Sequence, residues 1–333
     1  MWWWRMAVAA ATMLAATVAH GADPVKIRLA WTVPVANWGA MLLEKKDLAQ
    51  HFGKSYVLQP VHYTASSTQI TALAAGELDI ADIAYSGLGL IVENAGMTDI
   101  RVIADEFQDG VPGYYSQEYF VLKDGPIKKI QDLKGKVVAT NAEGSAVDVA
   151  TKAMLRKAGL EAKRDYTVIE TPFPTMRAML AEKKVAIVPG VLPFSLDPQL
   201  RSIATPLFRQ SDAIGVTQMI VWGARKPFID KNRAALVDFF EDTLRIVHWY
   251  TDPKNHDAVM QIAARMTKQP PERFSWAFTK QDYYRDRNMV PNLAALQKNV
   301  DMTQELGFIK HKLTVKDYAD LSLVEEAAKR LAK

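Results

Sequence analysis

The sequence predicts an α/β protein of two lobes, with mainly parallel sheets, helices on both faces of the sheets and a helical C-terminal region. Short apolar runs typical of strands alternate with stretches of helical periodicity, and this alternation begins again after a break rich in Gly and Pro. From Arg233 onwards the pattern is helical throughout. Strands that alternate with helices indicate right-handed crossover connections and therefore parallel strand pairs.

The length and composition of the chain are compatible with this fold. The 333 residues include 41 Lys and Arg against 37 Asp and Glu, and 49% are hydrophobic. This is enough for one large domain or two ordinary ones, each with a buried core. The net charge of +4 is spread along the sequence, so we expect no nucleic-acid partner. Because the chain has no cysteine, thiol catalysis, iron–sulfur clusters and cysteine-based zinc sites are excluded.

The N-terminal segment has the features of a secretory signal. One positive residue, Arg5, precedes the uncharged apolar run 6–18, and small residues follow at Ala19 and Gly21. This order predicts a signal peptide at 1–21 that is cleaved near Gly21, and a periplasmic mature protein. The alternative is an uncleaved membrane anchor, although the apolar run is shorter than the roughly 20 residues that span a bilayer.

Strands and helices alternate in the first part of the mature chain. The predicted strands are 25–31, 56–61, 79–85 and 100–107, and the predicted helices are 38–52, 66–75 and 87–94.

A second α/β unit is inserted between two breaks, at 110–113 and 212–215. Its predicted strands are 118–123, 136–140, 166–170 and 185–188, and its predicted helices are 145–158 and 175–182. The strand 216–222 then returns to the first unit, which ends in helices. We therefore predict lobe 1 at 22–112 and 216–333, lobe 2 at 113–215, and a ligand cleft between the lobes at the carboxyl ends of the strands.

No catalytic or metal-binding constellation is evident. The histidines lack zinc spacing, no Gly-x-Ser-x-Gly or phosphate-loop motif occurs, and Asp79 and Asp82 are three residues apart on a predicted strand, so they face opposite ways. We expect no catalytic residues, no metal and no cofactor. The five lysines of 123–136 indicate a solvent-exposed edge; the alternative is a surface that docks on a partner.

Two predicted helix starts are the strongest indication of a ligand-binding site. Ser66 to Gln69 reads as a capping box, and Asn141 to Asp148, with Gly144 and Ser145, opens a helix in the other lobe. The first N–H groups of a helix and its dipole favour an oxyanion, so two starts facing each other across a cleft would clamp an anion. The alternative at each position is a serine that only caps its helix.

Aromatic residues cluster near the predicted turns and favour a ligand with an apolar body and a polar head. These residues are Trp31, Trp38, Tyr63, Tyr85, Phe107 and Phe173.

The order of these motifs resembles a known family. The run 63–81, with Ser66, Ser67 and the Gly76-x-x-Asp79 motif, and the run 133–146 resemble the periplasmic substrate-binding proteins of ABC importers for nitrate, taurine, aliphatic sulfonates and bicarbonate. The similarity extends from Val25 to about Val221. It implies a type II periplasmic binding protein fold that closes around its ligand by hinge bending, a membrane permease as partner, and a monomer.

The resemblance and the residue patterns together give twelve candidate ligand-binding residues: Trp31, Asn37, Trp38, Tyr63, Ser66, Ser67, Tyr85, Ser86, Asn141, Gly144, Ser145 and Phe173. The chain departs from the family pattern at 183–186 and at Leu192, which stands where a tryptophan is common. That side of the pocket is therefore expected to differ, and the aromatic surroundings favour a larger organic anion, a sulfonate or carboxylate.

Two other functions remain open at this point. One is an enzyme, because pyrimidine synthases of thiamine metabolism share this general fold, although the chain lacks the cysteine on which their chemistry relies. The other is a partner that presents a ligand to a membrane sensor.

Overall fold

The computed structural model describes residues 23–333, so the predicted signal peptide at 1–21 lies outside the described residues. The strands are β1 (Val25–Trp31), β2 (Tyr56–His62), β3 (Ile80–Ala84), β4 (Ile100–Asp109), β5 (Glu118–Leu122), β6 (Val137–Thr140), β7 (Thr167–Glu170), β8 (Val188–Gly190), β9 (Ala204–Arg209) and β10 (Thr217–Arg225).

The α-helices are α1 (Trp38–Met41), α2 (Ser66–Ala74), α3 (Gly87–Glu93), α4 (Ala146–Lys157), α5 (Phe173–Ala181), α6 (Pro198–Ile203), α7 (Gln210–Ile214), α8 (Lys226–Tyr250), α9 (His256–Thr267), α10 (Leu293–Glu305) and α11 (Ser322–Leu331). Short 3-10 helices occupy Leu42–Leu48, Ile130–Leu133, Phe194–Leu196, Pro253–Asn255, Pro271–Phe274 and Val315–Tyr318.

A five-stranded sheet organises the first part of the chain, in the order β2-β1-β3-β10-β4. β1 pairs in parallel with β2 and β3, whereas β10 is antiparallel to both β3 and β4. β4 leads out of this sheet towards the inserted segment and β10 leads back from it. The two strands are neighbours that run in opposite directions for this reason.

The inserted segment forms its own sheets. β5 lies between β8 and β9 and is antiparallel to both, and β6 pairs in parallel with β7. A single bridge between Val138 and Ile187 links the two groups. Sheet membership thus changes between β4 and β5 and again between β9 and β10. The predicted lobe boundaries at 112/113 and 215/216 lie in these two intervals, and the lobes as separately moving units stay a prediction.

The predicted α/β fold class is confirmed, and the direction of strand pairing needs a correction. Of the strand pairs named above, three are parallel and four are antiparallel, so the described sheets are mixed rather than mainly parallel. The antiparallel pairs involve β10, which returns from the insertion, and β5, the first inserted strand. Residue periodicity does not reveal the direction in which a strand enters its sheet.

The predicted apolar stripe of α8 lies in the core. Leu236, Phe240, Leu244 and Val247 are completely buried, and the stripe packs on the same hydrophobic cluster as the five-stranded sheet. Among residues 23–333, no helix combines the length and the apolar run that crossing a membrane requires.

Several predictions differ from the structure: the region after Arg233 is not helical throughout, since 275–292 contains no helix, and α6 and β9 were not predicted. The helix predicted over 38–52 is α1 followed by a 3-10 helix, with Lys45 outside helical geometry at φ −124° and ψ 30°. The break predicted at 212–215 overlaps α7, which ends at Ile214 and is followed by Gly215 with a φ of 71°. The strand predicted at 185–188 is β8, two to three residues later.

Candidate functional site

A cavity of about 80 Å³ lies between the five-stranded sheet and the inserted segment, where β1 and β3 end and α2 and α4 begin. Several water molecules, or a small organic molecule in their place, would fill this volume. The lining residues are Thr32, Val33, Ala36, Asn37, Ala65, Ser66, Asp82, Ala84, Phe107, Gln117, Asn141, Ser145, Ala146, Val147, Phe173, Val191, Leu192, Met219, Ile220 and Tyr283.

The start of α2 forms one wall of the cavity. Ala65 precedes the helix in an extended conformation, with φ −160° and ψ 160°, and provides no side-chain cap. The predicted capping box between Ser66 and Gln69 is wrong, because the Gln69 amide turns away to bond Asp82. Ser66 is instead the first helical residue, and its backbone N–H has no acceptor within the helix.

The start of α4 forms the facing wall, and the helix start predicted at Ser145 is confirmed. The Ser145 hydroxyl accepts a hydrogen bond of 3.4 Å from the backbone N–H of Asp148. The N–H groups of Ala146 and Val147 come before this capped position, and both residues line the cavity. Two helix N-termini therefore meet at the cavity, and each favours a negatively charged or hydrogen-bond-accepting group.

Asp82 lies in the middle of β3 and is 2% exposed. Its carboxylate accepts hydrogen bonds from the Gln69 side-chain amide and, at 3.2 Å, from the Thr32 hydroxyl. Burial raises the pKa of Asp82 to about 7, against the lowering effect of these two hydrogen bonds. Asp79 faces the opposite side of the strand, where it pairs with Arg28 at 2.6 Å, as the three-residue offset predicts.

Asn37 shapes the turn between β1 and α1. Its side-chain oxygen accepts the backbone N–H groups of Thr32 at 3.1 Å and Val33 at 2.7 Å, and its amide nitrogen donates to Glu106 at 2.8 Å. Glu106 also accepts the backbone N–H of Trp38 at 2.7 Å. Burial, together with the nearby Asp82 carboxyl, holds the pKa of Glu106 well above its usual range.

Two further side-chain oxygens at the cavity have no hydrogen-bond partner. Gln117 is fully buried, and its amide nitrogen donates to the Tyr119 hydroxyl at 3.0 Å and to Gln210 Oε1 at 3.3 Å. This leaves Gln117 Oε1 buried and unpaired, and the same is true of Asn141 Oδ1. Buried polar atoms of this kind are rare in folded proteins and mark places where a ligand or water is expected.

The structure brings five of the twelve predicted site residues to the wall of the cavity: Asn37, Ser66, Asn141, Ser145 and Phe173. The other seven do not line it: Trp31, Trp38, Tyr63, Ser67, Tyr85, Ser86 and Gly144.

The seven other residues occupy several different environments. Trp38 is buried and stacks on Phe278 at 4.9 Å between ring centroids. Ser67 is exposed one residue beyond the helix start, and Tyr63 is half-buried. Tyr85 is completely buried and donates a hydrogen bond to the backbone oxygen of Ala146 in the inserted segment. Ser86 is buried after β3, and Gly144 lies behind the cavity, near Leu90 and Phe308.

Trp31 lines a second groove, of about 700 Å³, together with Pro34, Pro174 and Pro193, which directly follow cavity residues in the sequence. Phe194 and two arginines, Arg177 and Arg273, also line this groove. Asp197 pairs with Arg177 at 3.2 Å and with Arg273 at 3.5 Å, so one carboxylate is shared by two guanidinium groups. The groove therefore has a basic wall, whereas the lining set given for the cavity contains no Lys, Arg or His.

Several lining residues were missed by sequence reasoning, among them Thr32, Asp82, Gln117 and Tyr283. A signal existed for Asp82, because an acid inside an apolar strand needs a partner or a function. Leu192, noted only as a departure from the family pattern, does line the cavity. Tyr283 comes from the C-terminal region, where the sequence gives no sign of a binding residue.

The sequence profile of the NMT1-like family matches residues 20–264, about three quarters of the chain. The chain belongs to the NMT1-like family. A search of curated protein sequences finds no match.

Solved structures share the fold of this family member at low sequence identity. The alkanesulfonate-binding protein SsuA from Xanthomonas axonopodis pv. citri, bound to MOPS, matches with a TM-score of 0.71 at 16% identity, covering 90% of this chain and 99% of that one. The periplasmic nitrate-binding protein NrtA from Synechocystis PCC 6803 matches with a TM-score of 0.72 at 15% identity, covering 92% and 89%.

An enzyme also has this fold. The desulfurization enzyme DSZB matches with a TM-score of 0.62 at 13% identity, covering 92% of this chain and 99% of that one. At these identities the comparisons establish a fold of the periplasmic binding protein type, as predicted, and they do not assign a ligand.

Proposed function

We propose that this chain is the solute-binding component of an ABC importer. In this proposal it is exported to the periplasm, captures a small organic anion in the cavity and delivers it, as a monomer, to a permease in the inner membrane. The fold, which it shares with sulfonate- and nitrate-binding proteins, supports a solute-binding role.

The observation that carries the proposal is the meeting of two helix starts at one cavity. Ser66 at the start of α2 and Ala146 at the start of α4, a helix of the inserted segment, line the same space. Their backbone N–H groups can hold the oxygens of a carboxylate or sulfonate without any basic side chain. The rings of Phe107, Phe173 and Tyr283 would pack against the apolar body of the ligand.

Contacts between the inserted segment and the rest of the chain support capture by closure. The Arg156 guanidinium donates to the backbone oxygen of Glu305 at 2.8 Å, and Lys152 lies 4.7 Å from the ring centroid of Phe308. Arg273, which lies outside the inserted segment, pairs with Asp197 of that segment at 3.5 Å. We infer that these contacts hold a closed arrangement, which a hinge between the lobes would open for ligand entry.

A thermal-shift screen of the mature protein tests this proposal. The protein, refolded once to remove carried-over ligand, is scanned with sulfonates, aromatic and aliphatic carboxylates, nitrate, bicarbonate and neutral pyrimidines. A ligand at about 100 times its Kd should stabilise the fold by about 2.7 kcal/mol. Stabilisation by an organic acid is the expected result. Stabilisation by neutral compounds only would contradict an oxyanion at the helix starts.

An enzyme of the same fold is the second candidate, because DSZB shares the architecture. The two functions differ in what happens to the bound compound. A binding protein returns its ligand unchanged, whereas an enzyme converts it. Mass analysis of the stabilising compound after prolonged incubation with excess ligand separates them, and the appearance of a product would contradict the proposed role.

A further inference from the structure

Three polar side chains of the cavity carry oxygens that can accept hydrogen bonds from a ligand. Asp82, Gln117 and Asn141 each place acceptor oxygens at or beside the space, and two of these oxygens are buried without a partner. Leaving a buried acceptor unpaired costs about 1 to 3 kcal/mol. A ligand that offers only acceptors would satisfy the helix starts and leave these oxygens unsatisfied.

Asp82 has capacity left for a ligand. An ionised carboxylate offers about four acceptor positions, and Gln69 and Thr32 fill two of them. Arg28, on the other side of the strand, is occupied by Asp79, and the neighbouring acid Glu106 is held by Asn37 and Trp38. Asp82 therefore meets no protein cation, although its charge is removed from water.

In the structure the amide nitrogen of Gln117, and not its oxygen, faces the neighbouring side chains. It faces the Tyr119 hydroxyl and Gln210 Oε1, and Gln210 turns its own amide nitrogen to Met219 Sδ at 3.1 Å; with Gln210 in this orientation, a flipped Gln117 amide would place oxygen against the Gln210 oxygen. The unpaired atom of Gln117 is thus the acceptor oxygen, and it requires a donor. If this oxygen had only a structural role, we would expect a hydrogen-bond donor of the protein beside it.

The acceptor oxygens favour a ligand that donates hydrogen bonds, whereas the two helix starts favour a negatively charged or accepting group. We propose that the ligand is zwitterionic, with its acidic group at the starts of α2 and α4 and a protonated nitrogen that donates hydrogen bonds to Asp82 and Gln117. The inference rests on the proposed function, which requires only an organic acid, and it adds the second, basic group. An anion without that nitrogen would place its negative charge near the Asp82 carboxylate with no compensating cation.

Matched triplets of compounds test the proposal on the mature protein. One set is 3-aminopropanoate, propanoate and propylamine, a second is 2-aminoethanesulfonate, ethanesulfonate and ethylamine, and a third is 4-(aminomethyl)benzoate, 4-methylbenzoate and 4-methylbenzylamine. In at least one triplet the zwitterion should bind at least tenfold more tightly, by calorimetry at pH 7.5, than the compound lacking nitrogen and the compound lacking the acid.

Asp82→Asn is the variant that isolates the inferred contact. It should reduce the affinity for the zwitterion at least tenfold and leave or improve the affinity for the matched compound without nitrogen. Asp79→Asn is the matched control: it is the same substitution three residues away, on the opposite face of the strand. It should leave both affinities unchanged, even where it lowers the unfolding temperature.

Equal affinity for the zwitterion and its nitrogen-free partner, or an equal loss of both in Asp82→Asn, would overturn the inference. If no triplet and no other organic acid stabilises the protein, the proposed function has failed instead. The role of Asp82 is then tested by comparing the unfolding temperatures of the ligand-free original protein and Asp82→Asn at pH 8. A carboxylate kept for a ligand is unfavourable there, so Asp82→Asn should raise the unfolding temperature, whereas a lowered temperature would show a structural role and overturn the inference.

Discussion

The phenolic hydroxyl of Tyr85 donates a hydrogen bond of 2.8 Å to the backbone carbonyl oxygen of Ala146. Tyr85 directly follows β3 of the five-stranded sheet, and Ala146 is the first residue of α4 in the inserted segment. Both residues are buried. A residue predicted to bind ligand thus ties the two halves of the chain together, next to the cavity.

Tyr85→Phe should weaken ligand binding about fivefold. The substitution keeps the ring and removes one hydrogen bond, worth about 1 kcal/mol, from the closed arrangement. The control is Tyr250→Phe, because the Tyr250 hydroxyl donates to the Met41 carbonyl oxygen at 3.1 Å and both residues lie outside the inserted segment. Calorimetric titration should show the loss only in Tyr85→Phe. An unchanged Kd in that variant would contradict a role in closure.

Ser66→Pro and Ala146→Pro should each reduce affinity at least tenfold. Proline is tolerated at the first position of a helix, and the residues before these two positions are extended, as proline requires. Each substitution therefore removes one backbone N–H and keeps the helix. Ser66→Ala and Ala146→Gly, which retain the N–H, serve as controls in the same titration. Equal losses from proline and control variants would refute binding by the helix backbone.

Ligand-free stability should fall as the pH rises from about 4 to about 7. Burial raises the pKa values of Asp82, Asp105 and Asp109 to about 7, so in this range the folded protein binds more protons than the unfolded chain. Each such acid contributes a slope of up to about 1.4 kcal/mol per pH unit.

Urea unfolding at pH 5, 6 and 7 measures this slope. The free energy of unfolding should depend less steeply on pH in Asp82→Asn than in the original protein. Subtracting one slope from the other removes the contribution of the other titrating groups and leaves that of Asp82. Identical slopes would show that Asp82 keeps an ordinary pKa in the folded protein.

Arg285→Met should destabilise the fold by about 3 to 5 kcal/mol. The buried Arg285 guanidinium pairs with the fully buried Asp282 at 2.8 Å and donates to the Ala36 carbonyl oxygen at 2.9 Å, beside the cavity. Removing one member of a buried pair leaves the other charge uncompensated. Arg287→Met, at an exposed position, should change the free energy of unfolding by less than about 0.5 kcal/mol. Chemical denaturation compares the two, and similar losses would argue against the buried pair.

The alternation of strands and helices was enough to predict the fold class, because each period reflects which face of an element is buried. The order of the sheets was harder to predict. β10 lies between β3 and β4, which precede it by more than 100 residues, and nothing local in the strand encodes these neighbours. The same limit applies to the antiparallel pairing of β5.

The candidate site was predictable where it depends on local structure. Ser66 and Ser145 mark helix starts, and both line the cavity. The predicted aromatic contacts were less successful, since Trp38 and Tyr85 satisfy packing and hydrogen bonding within the protein. Gln117 could not be predicted, because its role depends on Tyr119 and Gln210, and Gln210 is distant in sequence.

If the cavity between the two halves of the chain holds the ligand, two neighbouring serines should respond differently to a bulky substitution. Ser66 lines the cavity and Ser67 is exposed beside it. A titration of Ser66→Trp and Ser67→Trp with the compound found in the screen is therefore decisive. We predict one ligand per chain, with binding abolished in Ser66→Trp and retained in Ser67→Trp. Retained binding in a folded Ser66→Trp variant would contradict this prediction.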